Sequence, residues 1–148
     1  MKRLLVVLAL TAAVLTAGCS SGAVVKAPVE PVRLQLLIMN AQPSLEEAFV
    51  IGHEVRIKDS GAVLGSITEV VVEPALMAVP DSTGSLQAAR SPVLVDVTLT
   101  IEGEASVSDA GYSFGGTYVY MNNDLDYLTP VVRFKGIILS MKPVDEIQ

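Results

Sequence analysis

Between residues 93 and 102 the chain alternates apolar and polar side chains. Val93, Val95, Val97, Leu99 and Ile101 fall on one face, and Asp96, Thr98, Thr100 and Glu102 on the other. A period of two is the repeat of a β-strand, and this strand offers only one face to a core. The same period recurs in Val32, Leu34, Leu36 and Ile38, in Val55 and Ile57, and from Val63 to Glu73. Segments 112–114, 117–121 and 131–141 supply three further strands. Asp59-Ser60-Gly61, Gly115-Gly116 and Asn122-Asn123-Asp124 read as turns, and Gly65 marks a bulge or a close crossing. One helical signal interrupts the pattern. Pro43-Ser44-Leu45-Glu46-Glu47 has the form of a capping box, predicting one short helix over 44–51 that Gly52 ends. The expected fold is mainly β: a small antiparallel barrel or sandwich with one short helix.

The amino terminus has a different character. Lys2 and Arg3 precede an apolar run from Leu4 to Leu15, then the small residues Thr16, Ala17 and Gly18 and the only cysteine, Cys19. Basic, apolar and small segments in that order form an export signal. Leu15-Thr16-Ala17-Gly18-Cys19 resembles the lipobox of bacterial lipoproteins, with Thr16 where Leu is commonest. The resemblance implies cleavage before Cys19, acylation of its thiol with diacylglycerol, and anchoring to a membrane by palmitate-type chains. Ser20 in place of Asp implies the outer membrane where there are two. An uncleaved anchor is the alternative, although Leu4–Ala17 is shorter than the roughly 20 apolar residues of a spanning helix. The expected division is a signal peptide over 1–18, a flexible tether over 19–31, and a β domain over 32–148.

Without residues 1–18 the chain holds 8 basic and 16 acidic residues, an acidic balance that argues against nucleic acid. Its longest basic cluster is Arg133 with Lys135. The expected partners are the membrane, through Cys19, and an envelope protein or a second copy. Residues 74–92, rich in Ala, Ser and Pro, are too long for a tight hairpin and are expected to be a mobile loop insertion.

Several chemical motifs match by letter only. Gly111-Tyr112-Ser113-Phe114-Gly115 has the spacing of a nucleophile elbow, which requires a following helix and a later histidine. Here Gly115-Gly116 and β-prone residues follow, and the only histidine, His53, lies upstream. Asn122, Asp124 and Asp126 open like a calcium loop, but Tyr127 and Arg133 occupy its glycine and glutamate positions. Zinc needs three or four ligands, and the chain has one histidine. Glu46, Glu47, Glu102 and Glu104 are candidate paired carboxylates whose default reading is a solvated face. The expected catalytic, cofactor and metal sets are therefore empty, and Cys19 is the one assigned site.

The residues Gly52-x-x-Val55, Asp59-Ser60-Gly61, Leu64-Gly65-x-Ile67-x-x-Val70 and Pro74-Ala75, with the strand from Val95 to Glu104, resemble an uncharacterised bacterial family, domain of unknown function 4330. The segment 127–137 is similar to that family's end. The resemblance covers about residues 45–141 and implies an envelope protein with no catalytic residue to transfer. More distantly, residues 52–72 resemble the mammalian-cell-entry barrels of bacterial lipid transport. That likeness implies an alternative role in binding or carrying lipid, with 74–92 as a pore loop carrying the apolar Leu76, Met77, Val79 and Leu86.

Overall fold

The computed structural model describes residues 27–146. The expected export signal, Cys19 and the first part of the expected tether lie outside the described residues. Eight strands form one antiparallel sheet: β1 (Val29–Ala41), β2 (Glu54–Ile57), β3 (Val63–Pro80), β4 (Leu86–Ser108), β5 (Gly111–Phe114), β6 (Thr117–Val119), β7 (Asp124–Leu128) and β8 (Arg133–Pro143). Their order is β1-β8-β7-β2-β3-β4-β5-β6, and β1 also pairs with β4. Six strands therefore close into a ring, so the barrel is formed and the sandwich is not. Closure removes the ring's free edges, the usual liability of a small sheet.

The alternation sets which side chains fill the ring. Val32, Leu34 and Leu36 from β1 and Val97, Leu99 and Ile101 from β4 are fully buried, together with Leu64, Val55, Tyr127 and Ile138. Leu34 stands opposite Ile101 and Leu36 opposite Leu99, so the inward faces of β1 and β4 meet across their shared ladder. Phe49 meets Phe134 edge-on with centroids 5.0 Å apart, and Phe134 stacks on Tyr127 at 5.7 Å. Such aromatic pairs add about 0.5–1.5 kcal/mol each beyond area burial.

Gly65 and Gly103 mark the closest backbone crossing. A Cβ on Gly103 would overlap the carbonyl oxygen of Leu64, and one on Gly65 would overlap that of Glu102. Gly65 also takes a φ of +140°. The close crossing expected at Gly65 is thus present, with Gly103 as its counterpart on β4.

Three expectations are corrected. The helix over 44–51 is a 3-10 turn, Pro43–Ala48, whose N-cap is Gln42 without a side-chain bond. The capping box of Ser44 and Glu47 does not form, because the chain turns extended at Phe49 to bury that ring. β1 begins at Val29, so residues 29–31 of the expected tether are paired with β4. Residues 74–92 are not a mobile loop: Leu76–Pro80 pairs with Leu86–Arg90 in register, prolonging β3 and β4 into a two-stranded arm. Backbone pairing between the two halves supplies the hydrogen bonds that neither has alone.

Tyr127 carries a cost inside the ring. It is fully buried, and its hydroxyl has no hydrogen-bond partner. Burial also pushes the phenol well above its ordinary pKa. An unmatched buried hydroxyl costs about 1–3 kcal/mol. Tyr127→Phe is therefore expected to raise stability by about 1 kcal/mol, read as a higher urea midpoint with an unchanged slope; a lower midpoint would show an unrecognised partner for the hydroxyl.

Candidate interaction surface

The arm leaves the ring where β1 ends. Ala41 pairs with Val95, and beyond that point β3 and β4 have only each other. From Pro74 to Pro80 the arm extends roughly 20 Å at about 3.3 Å per residue. Its base is bent, because Ala75 alone faces the four residues Ser91–Leu94 between the pairs Pro74↔Val95 and Leu76↔Arg90. Ser91 Oγ accepts from the N–H of Leu94 at 2.9 Å and of Val93 at 3.3 Å, holding the bulge in shape.

Cross-strand pairing sorts the arm's side chains by face. Leu76, Ala78, Pro80, Leu86, Ala88 and Arg90 share one face. The other holds Met77, Val79, Gln87 and Ala89. Leu76 is 64% exposed and Leu86 72%. Arg90 is the one charge in the paired segments 76–80 and 86–90. Exposed apolar residues on both faces of a charge-poor ribbon make the arm the candidate contact surface.

The tip is held by one carboxylate. Asp81 Oδ1 accepts from the N–H of Thr83 (2.8 Å), the hydroxyl of Thr83 (2.6 Å) and the N–H of Ser85 (3.0 Å), while Oδ2 accepts from Gln87 Nε2 (3.0 Å). These bonds, led by the Thr83 hydroxyl, hold the Asp81 carboxyl below its ordinary pKa. A depressed carboxylate contributes order that is full above the unfolded value near 3.8 and is lost as pH falls through the folded value. The amides of Thr83 and Ser85 are expected to lose protection from hydrogen exchange below about pH 4 while the ring amides keep theirs. Equal loss in tip and ring would refute a local role for Asp81.

A second feature lies on the outside of the ring. Arg33 and Gln35 of β1, Thr68 and Glu69 of β3, and Thr100 and Glu102 of β4 line a shallow groove of about 430 Å³. Arg33 Nη2 lies 2.6 Å from Glu102 Oε1, and Thr100 Oγ1 donates to Glu69 Oε2 at 3.2 Å. Each acid in this groove thus has a partner. A half-exposed ion pair of this kind contributes about 0–1 kcal/mol.

The other candidate residues are dispersed. Ser113 lies inside β5 between Ser106 and Tyr118, in a strand and not at an elbow. His53 precedes β2, its carbonyl accepting from the N–H of Ile67, and its buried Nδ1 has no partner. Asp124 accepts from Lys135 Nζ at 3.1 Å and Asp126 from Arg133 Nη2 at 2.7 Å, so cations already occupy both carboxylates. The Arg133 bond holds Asp126 below its ordinary pKa. Glu46 and Glu47 are exposed on the 3-10 turn, and Glu104 is exposed opposite Pro31. Glu102 is the one of the four glutamates that lines the groove.

Sequence reasoning had singled out Leu76, Met77, Val79 and Leu86 but missed their regular pairing, and it missed the groove. Period two places Arg33, Gln35, Thr100 and Glu102 outward, yet only the register of β1 on β4 makes them neighbours.

No curated protein and no solved structure matches the chain. A family pattern does, over residues 3–142, beginning well before the folded ring and including the apolar amino-terminal run. The chain belongs to the family described as Domain of unknown function (DUF4330).

Proposed function

We propose that this chain is a lipid-anchored envelope protein acting as a non-enzymatic interaction module, with the apolar arm as its contact element. The arm carries the reading: an ordered, charge-poor ribbon with Leu76 and Leu86 largely in solvent is costly to keep unless something covers it. The anchoring part rests on the order Lys2-Arg3, Leu4–Leu15 and Leu15-Thr16-Ala17-Gly18-Cys19. Palmitate-type chains on Cys19 would hold the protein where one chain alone binds only reversibly.

Topology makes the two parts compatible. β1 starts at Val29 opposite Ser106, whereas the arm leaves the ring beyond Val95, about 35 Å further along β4. A membrane attachment ahead of β1 therefore enters at one end of the barrel while the arm projects from the other. Leu34, Leu36, Leu99 and Tyr127 fill the ring, so a single copy holds no lipid inside it; the alternative, carriage of lipid through a pore assembled from several copies, would use the same apolar arm as its pore loop.

Two measurements test the reading. Mass spectrometry of the membrane fraction should find an acylated amino-terminal Cys19 peptide; a Cys19→Ala chain processed and localised like the parent would remove the lipid anchor. A photo-crosslinking residue at Leu76 should form adducts in intact cells, and one at Arg56, on the ring, should not. Equal labelling at both positions would remove the arm as the contact element.

A further inference from the structure

The two long edges of the arm are not equivalent. β3 carries Pro74 and Pro80, which have no N–H to offer a further strand. β4 has neither proline nor bulge from Leu86 to Arg90; the bulge starts at Ser91. The β3 edge is guarded as edge strands commonly are, and the β4 edge is open.

Ladder parity gives this open edge a centre. The Asp81 N–H donates to Ser85 O at 2.8 Å, and the next pair, Pro80↔Leu86, cannot exchange both bonds. Antiparallel pairs alternate between bonded and non-bonded. Val79↔Gln87 and Met77↔Ala89 are thus the bonded pairs within the arm, and Leu86, Ala88 and Arg90 turn their N–H and C=O groups outward. Three outward-turned residues spaced by two are symmetric about Ala88. A second identical edge laid antiparallel across a two-fold axis would pair Ala88 with itself and Leu86 with Arg90, satisfying every outward group.

Charge permits the same occupant. The chain is acidic, with a formal net charge of -6, so two bodies repel. The arm, extending roughly 20 Å, keeps them apart by more than the Debye length of about 10 Å at 0.1 M salt. Alanine at the centre lets the edges approach without collision, and within the paired segments 86–90 no like charges face each other, since each Arg90 lies beside Leu86.

We propose that the protein self-associates as a two-fold dimer through antiparallel pairing of the Leu86–Arg90 edges, the strand that closes the arm's open edge being that of a second copy of this chain. This rests on the reading of the arm as a contact element and names its partner. A two-fold contact closes on itself and stops at the dimer.

A cysteine scan of the full chain in its membrane fraction, treated with a short bis-maleimide, tests the register. Dimer cross-linking should peak at Ala88→Cys, fall at Leu86→Cys and Arg90→Cys, and be absent at Ala78→Cys on the guarded strand; the unsubstituted chain sets the background from Cys19. The mass of the detergent-solubilised full chain should halve with Ala88→Asp, which sets like charges opposite each other. A flat scan, a peak at Ala78, or a parent chain that sediments as a monomer would overturn the dimer. Adducts at Leu76 that contain a different protein, alongside a monomeric parent, would overturn self-pairing while retaining the contact role. A monomer with no adducts at Leu76 would overturn both.

Discussion

Gly103→Ala is expected to destabilise the protein by about 3 kcal/mol or more, a large share of a domain's stability of about 5–15 kcal/mol. The added methyl would be driven into the carbonyl oxygen of Leu64, and behind that oxygen lies the Cα of Gly65, so a backbone and not a mobile side chain must yield. Moving it would disturb β3 against β4, the pairing that carries both the ring and the arm. Chemical denaturation monitored by circular dichroism gives the comparison. A midpoint equal to the parent's would mean that the crossing is wider than the structure places it. Gly116→Ala is the control for added bulk, since nothing lies within 4 Å of its Cβ position, although its φ of +86° carries a smaller backbone cost.

Leu34→Ala is expected to cost about 2–5 kcal/mol, the range for emptying a fully buried leucine site. Leu34 has no exposed surface and sits opposite Ile101 on one side of β1 and Met141 on the other, where β1 joins β4 to β8. The cavity would open at the seam that closes the ring. Leu76→Ala removes the same atoms from a side chain 64% exposed on the arm, so its effect on stability should be within about 0.5 kcal/mol. Guanidinium midpoints for the pair separate the roles of the two leucines. Similar losses in both would place the arm inside the cooperative core.

Much of this architecture was legible as local pattern. The alternation around Leu34 and Leu99 reads directly as inward and outward faces, because neighbouring side chains on a strand must point to opposite sides. The turn at Asp59–Gly61 and the glycine requirement at Gly65 were visible in the same way. The β-prone residues after Ser113 likewise read as strand, and β6 follows there.

Where local pattern failed, non-local contacts had overridden it. Residues 43–48 have a helix start, yet burying Phe49 against Phe134 ends the turn before an α-helix can establish itself. Asp124 and Asp126 read as a polar loop end, whereas they form β7 because Arg133 and Lys135 on β8 neutralise them and Tyr127, next to Asp126, faces inward. The stretch 74–92 looked irregular because Ala, Ser and Pro are poor strand formers. It is strand because its two halves bond each other across the Asp81 turn.

The sequence by itself determined the strands other than β7 and the arm, their faces and the apolar amino terminus, all of which depend on residues within a few positions of each other. Tertiary structure decided the ring, the groove and the open edge at Ala88. Each requires a register between distant segments, such as residues 29–41 on 95–106, and period two is compatible with many registers. Only the packing of both faces around one filled core selects among them.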